Sequence, residues 1–268
     1  MRRLALLFLF AFPLYLGAQS FWRPLTSSFL EPNRFATIYD HEATRLILEA
    51  GYGTEFLHTQ NVDFGAEILI WSGLKTLDNF RFPVETADYF FGFNAVLPAF
   101  PAYPFFTSRV RLSHISSHRV DGTKDSVIGG SSSKFSREFI SFEIQYIPIF
   151  DELPIRAMLG VKYIFHQVTK VEPPVQLIAA LEHPLIKWSN LSKDAIIGGG
   201  EIFASASTGT GPQDQTARLA LTTRLYPNPQ HAIDLFAAYH FGATIYGTEG
   251  NKMRNGYDIG LMFSTVSF

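Results

Sequence analysis

His114, Ser116 and His118 follow one another at a spacing of two in the stretch RVRLSHISSHRVDG, residues 109–122. A serine hydroxyl attacks an ester only when a base takes its proton and a third group orients that base and stabilises its cation. Residues two apart on a strand share a face, with Cα atoms roughly 6.6 Å apart at about 3.3 Å of rise per residue. His114 and Ser116 can therefore meet, and Glu138 in the following extended stretch can supply the third group. The assignment is Ser116 as nucleophile, His114 as base and Glu138 as orienter, with His118, Ser117 and Asp121 as neighbouring polar candidates. A second chemistry uses His118, Asp121, Asp125 and Glu138 to hold a divalent cation such as Ca2+, although hard cations favour carboxylates over imidazole. No other cofactor is expected. A third reading makes His114, Ser116 and His118 polar residues at a lipid–water boundary, without chemistry.

Which reading holds depends on the element that carries these residues. Val110, Leu112, His114 and Ser116 share one side of an extended segment, and Arg109 and Arg111 share the other. The rest of the chain says what lies on each side. It has 268 residues, no cysteine, a formal charge of −2, 26 Phe and 11 Tyr, and only 17% charged residues. The absence of cysteine excludes disulfides, thiol catalysis and cysteine-ligated metal. The charge leaves no electrostatic footprint for nucleic acid. So many aromatics with so few charges need an apolar place for the outer surface.

The first residues, MRRLALLFLFAFPLYLGAQS, read as a secretory signal peptide: two arginines, an apolar run from Leu4 to Leu16, then the small residues Gly17 and Ala18. That run is too short for a spanning helix and contains Pro13. The expected organisation is a signal peptide over 1–18, a periplasmic segment over 19–33 and a barrel over 34–268. Export would follow the Sec route.

Downstream, apolar and polar residues alternate over about ten residues at a time. RAMLGVKYIFHQ sets Ala157, Leu159, Val161, Tyr163 and Phe165 against Arg156, Lys162 and His166. A period of two is a strand signal. Twelve such segments are expected near 34–41, 46–57, 63–72, 88–98, 106–118, 137–147, 155–167, 174–183, 195–207, 216–227, 231–245 and 256–268. Export, strand length and aromatic strand ends together point to an all-β, antiparallel transmembrane barrel of the outer-membrane type. Closure pairs every backbone group in lipid. An even count returns both ends to the periplasm, and a last strand ending at Phe268 would be read by the barrel-assembly machinery. The localisation expected is the outer membrane of a Gram-negative-type bacterium, with outer-membrane lipids as partners.

The barrel fixes the orientation of residues 106–118. An arginine facing lipid at the midplane costs about 2–4 kcal/mol. Arg109 and Arg111 must face the lumen, so Val110, Leu112, His114, Ser116 and His118 face outward. Glu49, Glu55, Glu67, Glu143, Arg156, Lys162, Arg218, Arg224, Asp234 and Asp258 are expected inside with the two arginines, filling a small barrel. The glycine-rich IIGGGE at 196–201 lacks the Gly-Lys-Ser/Thr ending of a phosphate loop.

FWRPLTSSFLEPNRFAT near the start of the mature chain, RVRLSHISSHRVDG and FSREF together resemble the bacterial outer-membrane family called domain of unknown function 1207. The resemblance implies an outer-membrane barrel and no particular activity. Over one strand pair, His114, Ser116 and Glu138 resemble the outer-wall sites of outer-membrane phospholipase A and lipid A 3-O-deacylase. Those sites join a His-x-Ser pair to an Asn or Glu of the next strand. They also place Asn after the serine, where this chain has Ser117, which leaves the oxyanion stabiliser unassigned.

Overall fold

A computed structural model describes residues 34–40, 45–75, 83–100, 102–103, 105–119, 135–147, 155–168, 173–189, 197–210, 216–225, 231–243 and 253–265. The proposed signal peptide, the periplasmic segment, Asp121, Asp125 and Phe268 lie outside these residues.

Alternation of apolar and polar residues produces the strands, and their closure produces the fold. The strands are β1 (Arg34–Asp40), β2 (Arg45–His58), β3 (Asp63–Lys75), β4 (Val84–Pro98), β5 (Phe106–Arg119), β6 (Phe135–Tyr146), β7 (Arg156–Val168), β8 (Val175–Ser189), β9 (Ile197–Gly209), β10 (Thr216–Leu225), β11 (His231–Ala243) and β12 (Met253–Thr265). Each pairs antiparallel with its sequence neighbours, and β1 pairs with β12 from Arg34↔Ser264 to Asp40↔Asp258, closing the barrel. The start of β1 and the end of β12 lie at one end, here called the lower end. The upper end is where β5 leads into residues 120–134.

The two faces of each strand differ as the arginine argument requires. Outward side chains include Phe64, Ile68, Phe91, Phe93, Leu112, Ile140, Phe142, Leu159 and Leu177, all large, apolar and exposed. Inward side chains fill the lumen along the arc from β3 to β8 in layers. Leu69, Trp71, Phe90, Ile115, Phe139 and Ile164 form an upper apolar layer. Val96, Met158 and Ala180 form a lower one, with Ile178 against it. Between them lies a band of charge. Arg109 donates from Nε to Glu143 Oε2 at 2.9 Å and from a terminal nitrogen at 2.5 Å. Arg111 Nε donates to Glu67 Oε1 at 2.9 Å, Asn94 donates to the same oxygen at 2.8 Å, and Ser141 donates to Glu143 Oε1 at 2.9 Å. Arg111 is 2% exposed. Its guanidinium also lies over the Phe90 ring, 5.5 Å from the centroid. Gly160 faces Glu143 across β6–β7, and a Cβ there would fall 2.9 Å from Glu143 Cγ. The glycine makes room for the carboxylate to reach the arginines.

At the lower end, Phe105, Phe106 and Tyr146 gather with centroids 4.9 to 5.9 Å apart. Phe100 meets Phe106 at 5.5 Å. Tyr and Phe clustered at a strand end form part of an aromatic girdle.

The two largest departures from the expected strand boundaries each accompany a register shift. β8 runs on through Pro184 to Ser189, because Pro184 pairs with Phe203 and Ile186 with Ile202, leaving Leu185 as an extra residue. Proline lacks the ladder N–H, and a bulge absorbs the defect where a strict ladder would stop. β4 begins at Val84, four residues before the expected start, after a register shift opposite Gly73 and Leu74.

Candidate functional site

The outer face of β4–β7 is built in cross-strand rows. In one row Tyr89 lies beside Ser116, Ser116 beside Ser136, and Ser136 beside Val168. The row below runs Phe91, His114, Glu138, His166. The next runs Phe93, Leu112, Ile140, Tyr163, and all four are exposed and large. Polarity therefore changes sharply between the second row and the third. Side chains with one wet end and one apolar end collect where water meets hydrocarbon. The two polar rows stand in the upper half of the wall, directly above its apolar band.

Glu138 is the centre of the middle row. Its Oε1 lies 3.3 Å from His114 Nδ1, and its Oε2 lies 2.7 Å from His166 Nδ1. Where Glu138 is an ionised carboxylate it offers only acceptors, and the contacts then call for a proton on each of those ring nitrogens. His114 is thereby left with Nε2 as an acceptor, the tautomer a general base requires. Its ring stacks on Phe91 at 4.7 Å and 24°, which fixes the imidazole plane from the other side.

Ser116 sits two residues above His114, and its hydroxyl lies 3.3 Å from His118 Nε2. The His118 ring meets Tyr89 edge-on at 5.7 Å. Of the residues singled out from sequence, the fold thus brings His114 to Glu138 and Ser116 to His118, with the two pairs adjacent on one strand face. Ser117 is on the other face: its side chain is buried in the lumen wall, and its register partners are Asp88 and Phe135. It does not reach the outer wall. Among the described residues, no three His, Cys, Asp or Glu side chains gather into a metal-holding group. Asp121 and Asp125 of the sequence-level cation set lie outside those residues.

His166 is the member that alternation misplaces. On period two it belongs inside with Lys162 and Ile164. In the fold Phe139 pairs with Ile164 and Glu138 with His166, so Phe165 is extra and the parity of β7 reverses above it. No feature of the sequence period marks this bulge.

No family model and no curated protein matches the chain. Solved structures do. Outer membrane phospholipase A from Escherichia coli is similar over 89% of this chain and 98% of its own, with a TM-score of 0.54 and 12% identity. A Salmonella typhi outer membrane phospholipase, described as a dimer with bound calcium, covers 91% of this chain and 95% of its own, with a TM-score of 0.53 and 12% identity. An outer membrane channel from Pseudomonas putida is also similar, with a TM-score of 0.48 and 10% identity over 91% of this chain and 98% of that one. Identities this low speak to fold. The chain is an integral membrane β-barrel of the outer-membrane type, and its structural neighbours include both phospholipases and channels.

Proposed function

We propose that this barrel hydrolyses lipid esters at the outer leaflet of the outer membrane, after Sec export and insertion by the barrel-assembly machinery. The observation that carries the reading is the ladder Phe91–His114–Glu138–His166, with Ser116 directly above it and the apolar band directly below. A lipid lying against this wall would place its acyl chains along Phe93, Leu112 and Ile140 and its ester groups at the level of Ser116. Ser116 Oγ would attack the carbonyl carbon while His114 Nε2 takes its proton. Glu138 would stabilise the imidazolium and keep its tautomer, and His114 would return the proton to the leaving alcohol as the ester C–O bond breaks. A water deprotonated by His114 would then attack the acyl-Ser116 carbonyl, releasing the fatty acid and restoring the serine. A turn about the Ser116 Cα–Cβ bond moves Oγ from His118 toward His114. The likeness to structures described as phospholipases supports this class of substrate. Membership of the domain of unknown function 1207 family, carried by the quoted motifs, is part of the same proposal.

The test compares outer membranes holding the wild type with membranes holding Ser116→Ala at equal, heat-modifiable abundance. Lysophospholipid and deacylated lipid A are measured by mass spectrometry. A product present with the wild type and lost with Ser116→Ala supports the proposal. Identical lipid profiles overturn it.

One observation favours a second reading, a non-enzymatic barrel: the Ser116 hydroxyl rests on His118, while Glu138 holds His114. In that reading the two polar rows anchor the wall at the lipid headgroups. A conduit is the less supported form of it, because the β3–β8 arc is filled by two apolar layers and the ion pairs between them.

A further inference from the structure

The bulge at Phe165 has a consequence for the base. Below it β7 alternates regularly, with Met158, Lys162 and Ile164 buried and Leu159, Val161 and Tyr163 exposed. One further regular step would bury His166 beside the lumen. The extra residue turns it outward instead, with its side chain 57% exposed and its Nδ1 2.7 Å from Glu138 Oε2. Bulges next to sites re-aim a side chain in this way. The bond from His166 is the shorter of the two that Glu138 accepts, against 3.3 Å from His114. Glutamate has three rotatable side-chain bonds, and an exposed glutamate with a single partner moves freely about them. Held from both sides, the carboxylate can present Oε1 to His114 in one orientation.

We propose that His166 is a positioning residue, acting through Glu138 to keep the His114 ring in its Nδ1-protonated form. The effect on catalysis rests on the hydrolytic reading above, whereas the effect on the His114 tautomer does not. Among the described residues, the titratable groups of this outer face are His114 and His118 on β5, Glu138 on β6 and His166 on β7, with the Tyr163 phenol of β7 one row below. Tyr89 on β4 adds a phenol one row above. Arg137 points into the lumen.

The test uses the full-length barrel refolded in detergent micelles with 15N-labelled histidine. His166→Phe removes the donor and keeps an aromatic ring. His166→Asn keeps an N–H close to the position of Nδ1. The imidazole 15N shifts of His114 report its tautomer, assigned through His114→Gln. The wild type and His166→Asn should hold His114 as the Nδ1–H form, and His166→Phe should move it toward the Nε2–H form. Where the wild type hydrolyses lipid, His166→Phe should lower kcat about 10- to 100-fold with KM unchanged, in the range seen when an outer partner of a site residue is removed. His166→Asn should recover most of that loss. An unchanged His114 tautomer in His166→Phe overturns the proposal. A changed tautomer in a barrel with no lipolysis sustains it and retires the hydrolase reading.

Discussion

The two faces of the β5–β6 pair carry charge in opposite ways. Inside, Arg109 and Arg111 meet Glu143 and Glu67, opposite charges with several hydrogen bonds to each carboxylate. Outside, on the same two strands, the carboxylate of Glu138 is shared by two imidazoles. The inner network pairs each arginine with a carboxylate and lies between apolar layers. A buried network of that kind serves to hold the barrel together, because removing one partner strands the other. The outer ladder is half-buried at His114 and Glu138 and open at His166, on the wall that meets lipid. Apolar side chains would suit the wall at least as well as structure.

That contrast can be broken at either face. The largest effect expected is at the outer ladder. Under the proposed hydrolysis, His114→Ala should lower lipolysis by purified protein in mixed micelles on the order of 10³-fold or more, as loss of a base does in serine hydrolases. His118→Ala should cost less than about tenfold, because His118 has no carboxylate to hold its tautomer among the contacts described. Equal losses would make His118 the base and move the site up one row. Neither variant should shift the urea midpoint in lipid vesicles appreciably.

At the inner face the readout reverses. Arg111→Met should destabilise the barrel by about 3–5 kcal/mol, because Glu67 is then buried beside Asn94 without its cation. Urea titration in vesicles measures this, and adding Glu67→Leu should recover much of the loss. Val110→Arg, two rows below His114 and nearer the middle of the lipid-facing wall, should cost about 2–4 kcal/mol in the same assay. A negligible cost would place that row outside the hydrocarbon and lower the boundary that defines the site. The smallest effect expected is for Ser141→Ala, which removes one hydrogen bond from Glu143 and should cost about 1.5 kcal/mol.

Much of this architecture is legible without coordinates. About twelve strands are expected and twelve form among the described residues, and the arginines at 109 and 111 set which face of β5 meets lipid. The orientation of His114, Ser116 and Glu138 follows from those two residues, since period two carries it along each strand. The pairing of Glu138 with His114 needs register as well, and register comes from strand-to-strand hydrogen bonds across residues 120–134. Where the sequence reading failed, local defects were the cause. The expected segment stopped at 183, but a bulge at Leu185 carries β8 past Pro184 to Ser189. His166 looked lumenal because Phe165 is a silent extra residue. Ser117 was weighed as a neighbour of the site, and the same alternation that exposes Ser116 and His118 turns it into the lumen wall.

The residues by themselves therefore determined the class of fold, the number of crossings and the face on which the histidines stand. The reason is that burying or exposing a charge in lipid is costly enough to decide strand orientation alone. The sequence offered Glu138 to His114, and tertiary structure decided which other polar groups meet. It placed Glu138 between His114 and His166, rested Ser116 on His118 and locked Arg109 and Arg111 onto Glu143 and Glu67. Those contacts depend on register and bulges, which are set by backbone pairing between distant segments. A one-residue shift in that pairing changes every neighbour while leaving the sequence pattern intact.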